Sequence, residues 1–127
     1  MNRDVITAKN AAAVGPYSHG CRAGNLVYLS GQTPIDNATG KLAEGNIGAQ
    51  TAQCFKNLFA VLEAAGLNPS NVVKCNVFLT NMNDFAAMNA IYAEQFQTPF
   101  PARTTIGVAS LPLGAKIEIE MIALADS

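Results

Sequence analysis

Between Asn46 and Gly66 the apolar residues of this chain recur at helical spacing, and on either side of that segment they do not. Ile47, Thr51, Cys54, Phe55, Leu58, Leu62 and Ala65 share one helical face, with Asn46 as N-cap and Gly66 as stop. The flanking stretches "DVITA" (4–8), "NLVYLSG" (25–31) and "NVVKCNVFLT" (71–80) read as strands, the second ending at a Gly-Gln-Thr-Pro turn. "DNATGK" (36–41) reads as a loop with a glycine turn. A second helix follows Asn81, its cap, with Asp84 favouring the helix dipole. Phe85, Met88, Tyr92 and Phe96 form its inner stripe, and Pro99 disfavours helix at Thr98. Two strands close the chain, "ARTTIGVA" (102–109) and "AKIEIEMIAL" (115–124), joined around Leu111-Pro112-Leu113-Gly114. Two helices among five or six strands predict an α+β domain with both helices on one sheet face.

What covers the other face is a question for composition. The 127 residues suffice for one domain, 1–127, and only 13% of them are charged, against roughly 25% in an ordinary soluble domain. A small monomer has much surface to cover, so the deficit predicts burial against another copy of the chain. No apolar run approaches the roughly 18 residues a membrane span needs, and "MNRDVITAKN" lacks the apolar segment of a secretory signal. Cys21, Cys54 and Cys75, an odd number without metal-type spacing, fit reduced thiols in a cytoplasmic protein. One histidine, His19, leaves no multi-histidine metal site, and a net charge of −1 provides no global pull toward nucleic acid.

Arg103 stands out as a permanent cation at the start of a half-buried strand, directly after Pro101-Ala102. Either its head reaches water, or its fork of donors grips a carboxylate, each such bond worth about 1.5–3 kcal/mol. Glu118 and Glu120 alternate with Ile117, Ile119 and Met121, which is half-buried strand patterning. Pairing Ala109 with Lys116 sets Gly107 opposite Glu118 and puts Arg103 on the face of Glu118. It also gathers Ile106, Val108, Ile117, Ile119 and Met121 on one apolar face, and is the preferred register. Pairing Ala109 with Ala115, or a bulge, sends Glu118 to the other face. In "GPYSHG" (15–20), Tyr17 offers a phenol or simply packs, and His19 with Cys21 makes a weak thiol–imidazole pair with no third group to orient it. In "YLSGQTP", Ser30 supplies a hydroxyl at a strand end and Gly31 lets a ligand approach the backbone. No Walker-type phosphate loop, G-x-G-x-x-G or G-x-S-x-G motif is present.

Taken together, "GPYSHG", "LSGQTP", "NDFAAMNAIYAEQF", "FPAR" and "LPLGAKIEIEMIA" resemble, in order and spacing, the RidA-type reactive-intermediate deaminases of the YjgF-like family. The likeness runs over nearly the whole chain, and Pro-Ala-Arg, Leu-Pro and Ile-Glu-Ile-Glu are its most specific part. The resemblance implies a chorismate-mutase-like α+β fold, a single mixed sheet of about six strands with two helices on one face. It implies a homotrimer with ligand clefts between subunits, and hydrolysis of 2-imino or enamino acids to 2-oxo acids and ammonia without metal or organic cofactor. It casts Arg103 as carboxylate anchor and Glu118 as the acid that holds the attacking water. Ser30 and the Gly31 backbone become contacts around the imine, and Tyr17 and Asn89 line the cleft. Thr105 stands where many relatives carry cysteine; its hydroxyl can still donate to a substrate oxygen, whereas any role needing a thiol there is lost. Two other functions remain as alternatives: a binding module that holds a 2-oxo acid or amino acid without turnover, and an endoribonuclease or translation inhibitor. For the latter, the basic residues are scattered rather than clustered for phosphate contacts.

Overall fold

The computed structural model describes residues 3–9 and 15–125. In chain order the elements are β1 (Asp4–Ile6), β2 (Gly20–Ala23), β3 (Leu26–Gln32), β4 (Ile35–Asp36), β5 (Lys41–Leu42), α1 (Ile47–Ala64), β6 (Val72–Leu79), α2 (Phe85–Gln95), β7 (Ala102–Gly107) and β8 (Ile117–Leu124). Six strands form one sheet in the order β1-β2-β3-β8-β6-β7, and β4 and β5 pair apart from it as a small hairpin. Every neighbour in the large sheet is antiparallel except β6 and β7, which run parallel. A parallel pair needs a crossover, and α2 is that crossover.

The caps read from sequence form. Asn46 Oδ1 accepts from the Ala49 amide at 3.1 Å, and Asn81 accepts from the Asn83 amide at 2.9 Å in a short 3-10 turn ahead of α2. Helix α1 ends with Ala65 as C-cap, and Gly66 follows in the left-handed region at φ +76°, a conformation glycine adopts without steric cost. Both helices bury their apolar residues against the same sheet face. Cys54, Phe55, Leu58, Val61 and Leu62 from α1, with Met88 and Tyr92 from α2, meet Cys75, Val77, Ile117, Ile119 and Met121 from the strands. Phe55 sits among three other rings, with centroids 5.4–5.6 Å away at Tyr92, Phe59 and Phe96. Cys54 behaves as a core residue: burial pushes its thiol pKa up, and its Sγ donates to the Gln32 carbonyl at 3.2 Å. Phe85 departs from the predicted inner stripe and is 38% exposed.

The expected β7–β8 hairpin does not form. β6 lies between them, pairing Cys75 with Arg103 on one side and with Met121 on the other. Paired residues share a face, so Arg103 lies on the helix side with Cys75 and Met121. Glu118 pairs with Phe78, which pairs with Ile106, and all three lie on the opposite side. The preferred register therefore fails in its main consequence, because Arg103 and Glu118 occupy opposite faces of one sheet. Ile106 likewise leaves the predicted apolar set and is 46% exposed, while Ile117, Ile119 and Met121 are buried. The open face carries Leu26, Tyr28, Ile106 and Leu124, each more than a third exposed, beside half-buried Phe78 and Ile122.

Candidate active site

Arg103 leaves the edge strand β7 toward α2. Its guanidinium carbon stands 4.7 Å from the Tyr92 ring centroid and 5.6 Å from that of Phe85. Asn89, Tyr92, Ala93, Phe100, Pro101 and Arg103 line a cavity of about 300 Å³. Neither Glu118 nor Glu120 can neutralise the cation, since their strand positions face the other side of the sheet. Asn89 Oδ1, the Tyr92 hydroxyl oxygen and Thr105 Oγ1 are buried without a hydrogen-bond partner of good geometry among the described residues. Thr105 follows Arg103 by two residues, so it projects from the same strand face. A buried polar atom without a partner costs about 1–3 kcal/mol; the Asn89 and Thr105 oxygens carry that cost near a cation that no described acid neutralises, which suits polar atoms from outside the chain. The Tyr92 hydroxyl also lies against the Cys75 thiol, whose pKa burial pushes up to about 11.

The second group of residues assembles around Glu118. Tyr17, Ser30, Gly31, Thr33, Pro112 and Glu118 line a recess of about 380 Å³. A bulge between Leu29 and Gln32 gives β3 one residue more than the facing stretch of β8, and Ser30 and Gly31 are the residues inside it. Ser30 is fixed by two bonds: its amide donates to the His19 carbonyl at 2.9 Å, and its hydroxyl donates to the Ser18 carbonyl at 2.6 Å. Gly31 leaves room for its neighbour, because a Cβ there would stand 2.9 Å from Glu118 Oε2 and push the carboxylate aside. Burial, and then the charge of Glu120, raise the pKa of the Glu118 carboxyl, whereas Glu120 receives the Asn76 side-chain amide at 3.4 Å. His19 is no partner for Cys21: its ring is buried and Nδ1 accepts from the Ala8 amide at 3.0 Å.

The residues singled out from sequence thus fall into two clusters. Arg103, Asn89 and Thr105 stand at the helix side of the β7 edge, and Tyr17, Ser30, Gly31 and Glu118 stand at the other face. Within one chain the two clusters do not meet. Sequence reasoning missed the Tyr92 and Phe85 rings against Arg103, along with Phe100 and Pro101, because helical spacing marks the first two only as core. It also did not single out Thr33 and Pro112, although both lie within motifs that it quoted, "LSGQTP" and "LPLGAKIEIEMIA".

A mixed six-stranded sheet backed by two helices, with one recess beside Arg103 and another beside Glu118, defines an α+β protein. The sequence profile described as Endoribonuclease L-PSP matches residues 7–125, and the chain belongs to that family, the YjgF/RidA proteins. Among its relatives is a protein of Dermatophagoides farinae named 2-iminobutanoate/2-iminopropanoate deaminase, 48% identical, the match covering 98% of this chain and 97% of that one. Among solved structures, YyfA of the Rid protein family from Yersinia pestis has a TM-score of 0.94 at 45% identity, covering 98% of this chain and 100% of that one. Escherichia coli TdcF, solved with bound serine, has a TM-score of 0.92 at 36% identity, covering 97% of this chain and 99% of that one. The family expected from the motifs is the family found.

Proposed function

We propose that the protein is a cytoplasmic hydrolytic deaminase converting 2-aminoacrylate and 2-aminocrotonate, through their imine tautomers, to pyruvate and 2-oxobutanoate with release of ammonia. Relatives such as the Dermatophagoides farinae protein carry the name of that activity. The observation that carries the reading is the Arg103 guanidinium, held on aromatic rings beside unpartnered polar atoms rather than on an internal acid. Its natural counter-ion is a small carboxylate, which a guanidinium grips with two parallel N–H donors. Because Arg103 and Glu118 sit on opposite faces, a complete site needs Arg103, Asn89 and Thr105 of one copy and Tyr17, Ser30, Gly31 and Glu118 of another. The apolar open face and the low charge favour such an assembly, a homotrimer with clefts between subunits.

The chemistry needs placement and proton management, not a covalent nucleophile. Arg103 fixes the substrate carboxylate, turning a two-body encounter into an oriented one, and the Thr105 hydroxyl donates to a carboxylate oxygen. The Ser30 hydroxyl spends its proton on Ser18, so its lone pairs are left to accept from the imine N–H. Glu118 takes a proton as water adds to the imine carbon, work of roughly 10²–10⁴-fold. Glu118 returns that proton to the nitrogen, giving the carbinolamine; the carbinolamine hydroxyl proton then passes by way of Glu118 to the nitrogen as the C–N bond breaks, leaving the 2-oxo acid and ammonia. A raised pKa suits a carboxylate that must first accept that proton and then return it. No metal or organic cofactor enters these steps.

In a coupled reaction with a serine dehydratase, Arg103→Ala is expected to lose all acceleration of pyruvate release while the assembly survives by light scattering. Wild-type rates in that variant would remove the anchor role. A second reading draws on the serine bound to TdcF: the same cleft holds an amino acid or 2-oxo acid without turnover. Steady-state hydrolysis of a freshly generated imine separates the two.

A further inference from the structure

An arginine intended for a substrate carboxylate poses a positioning problem. The side chain is long and flexible, and an internal acid that held it would compete with the substrate for the same donors. An aromatic ring solves this differently. Its negative π-face attracts the cation without accepting from the in-plane N–H groups, which stay available to a carboxylate.

Tyr92 is placed to do this. Its ring centroid is the nearer of the two, 4.7 Å from the Arg103 guanidinium carbon against 5.6 Å for Phe85. Tyr92 is 5% exposed, and its orientation is imposed from behind. Phe55 of α1 packs edge-on against it at 5.4 Å and 75°, and Phe96 lies tilted at 5.4 Å and 51°. Phe55 is fully buried and meets Phe96 edge-on at 5.6 Å, so three rings lock one another, and Tyr92 cannot turn without opening the core. Cys75, against which its hydroxyl rests, is the register partner of Arg103 on β6. Ring and guanidinium are therefore referenced to the same pair of strands.

We propose that Tyr92 is the positioning residue for Arg103: its clamped ring holds the guanidinium by a cation–π contact in place of an acid, presenting a pre-aimed and uncommitted fork to the substrate. This rests on the reading of Arg103 as the carboxylate anchor. Helix α1 thereby takes part in substrate binding through Phe55, although the cavity lining beside Arg103 includes no α1 residue.

The test replaces residue 92 in the full-length protein with phenylalanine and with its mono-, di- and trifluorinated forms, which keep the shape and progressively drain the π-face. Binding of 2-oxobutanoate by calorimetry and the KM and kcat of imine hydrolysis are read for each, with Tm as a fold control. Tyr92→Phe, which keeps the π-face and loses the hydroxyl, is the reference for the series. The Kd and KM are expected to rise stepwise with fluorination, reaching about 5- to 30-fold, with kcat changing far less and Tm nearly constant. Tyr92→Met, which fills space without a π-face, should match the most fluorinated form. A flat Kd across the fluorinated series overturns the proposal, whether or not Tyr92→Met folds. Arg103→Ala is measured alongside. If it binds 2-oxobutanoate as wild type does, the anchor reading itself fails; if it loses binding while the series stays flat, only the role of Tyr92 fails.

Discussion

Two side chains, Arg103 and Glu118, stand without a strong ion pair among the described residues. Arg103 lies against the rings of Tyr92 and Phe85. The pKa of Glu118 is raised, since burial and the like charge of Glu120 both favour its neutral form. A general base works as the carboxylate, so deamination should fall as pH drops through the Glu118 pKa. Removing the neighbouring charge lowers that pKa. Glu120→Gln is therefore expected to move the acid limb of the kcat/KM profile to lower pH, leaving the plateau within about twofold. An unmoved limb would mean that the group titrating there is not Glu118.

At the level of elements, the β3 bulge and the β6–α2–β7 crossover create the two clusters. The bulge turns Ser30 and Gly31 toward the Glu118 carboxylate, which lies so close over Gly31 that a Cβ would displace it. The atom displaced by Gly31→Ala is the tip of a flexible side chain, so the fold should survive, with a Tm within a few degrees of wild type. The carboxylate proposed to hold water would move, and a misplacement of about 1 Å costs on the order of 10²-fold in rate. Unchanged deamination in Gly31→Ala would show that the position of Glu118 does not matter. The crossover explains the failed hairpin expectation. Consecutive strands are neighbours only about two-thirds of the time, and here burial overrides adjacency. Ile117, Ile119, Met121 and Ala123 are at most 1% exposed, so β8 belongs in the middle of the sheet. β7, with no fully buried residue, suits the edge.

Across the whole molecule, the sheet face opposite the helices exposes Leu26, Tyr28, Ile106 and Leu124, and it carries half of the proposed site. The two clusters lie on opposite faces, and a ring assembly with head-to-tail interfaces brings unlike faces together. This yields a complementation test. Chains with Arg103→Ala and chains with Glu118→Gln should each be inactive alone. Co-assembled in equal amounts, they should recover about a quarter of wild-type activity, since a random ring pairs an intact arginine with an intact glutamate at one site in four. Sites complete within one chain would recover nothing.

Much of this was legible in the linear chain. The period of Ile47 to Leu62, the caps at Asn46 and Asn81, and the alternation of residues 117–121 are local signals, and local backbone geometry enforces them. The order of motifs around Arg103, Ser30 and Glu118 pointed to the family for the same reason, since motifs are written along the chain. What only the tertiary structure decided is which side of the sheet each motif faces. Side chains alternate at every residue of a strand, so face depends on strand order and on one-residue shifts such as the β3 bulge. Those are set by how the whole core packs, and so were the ring that meets Arg103 and the separation of the cation from the acid.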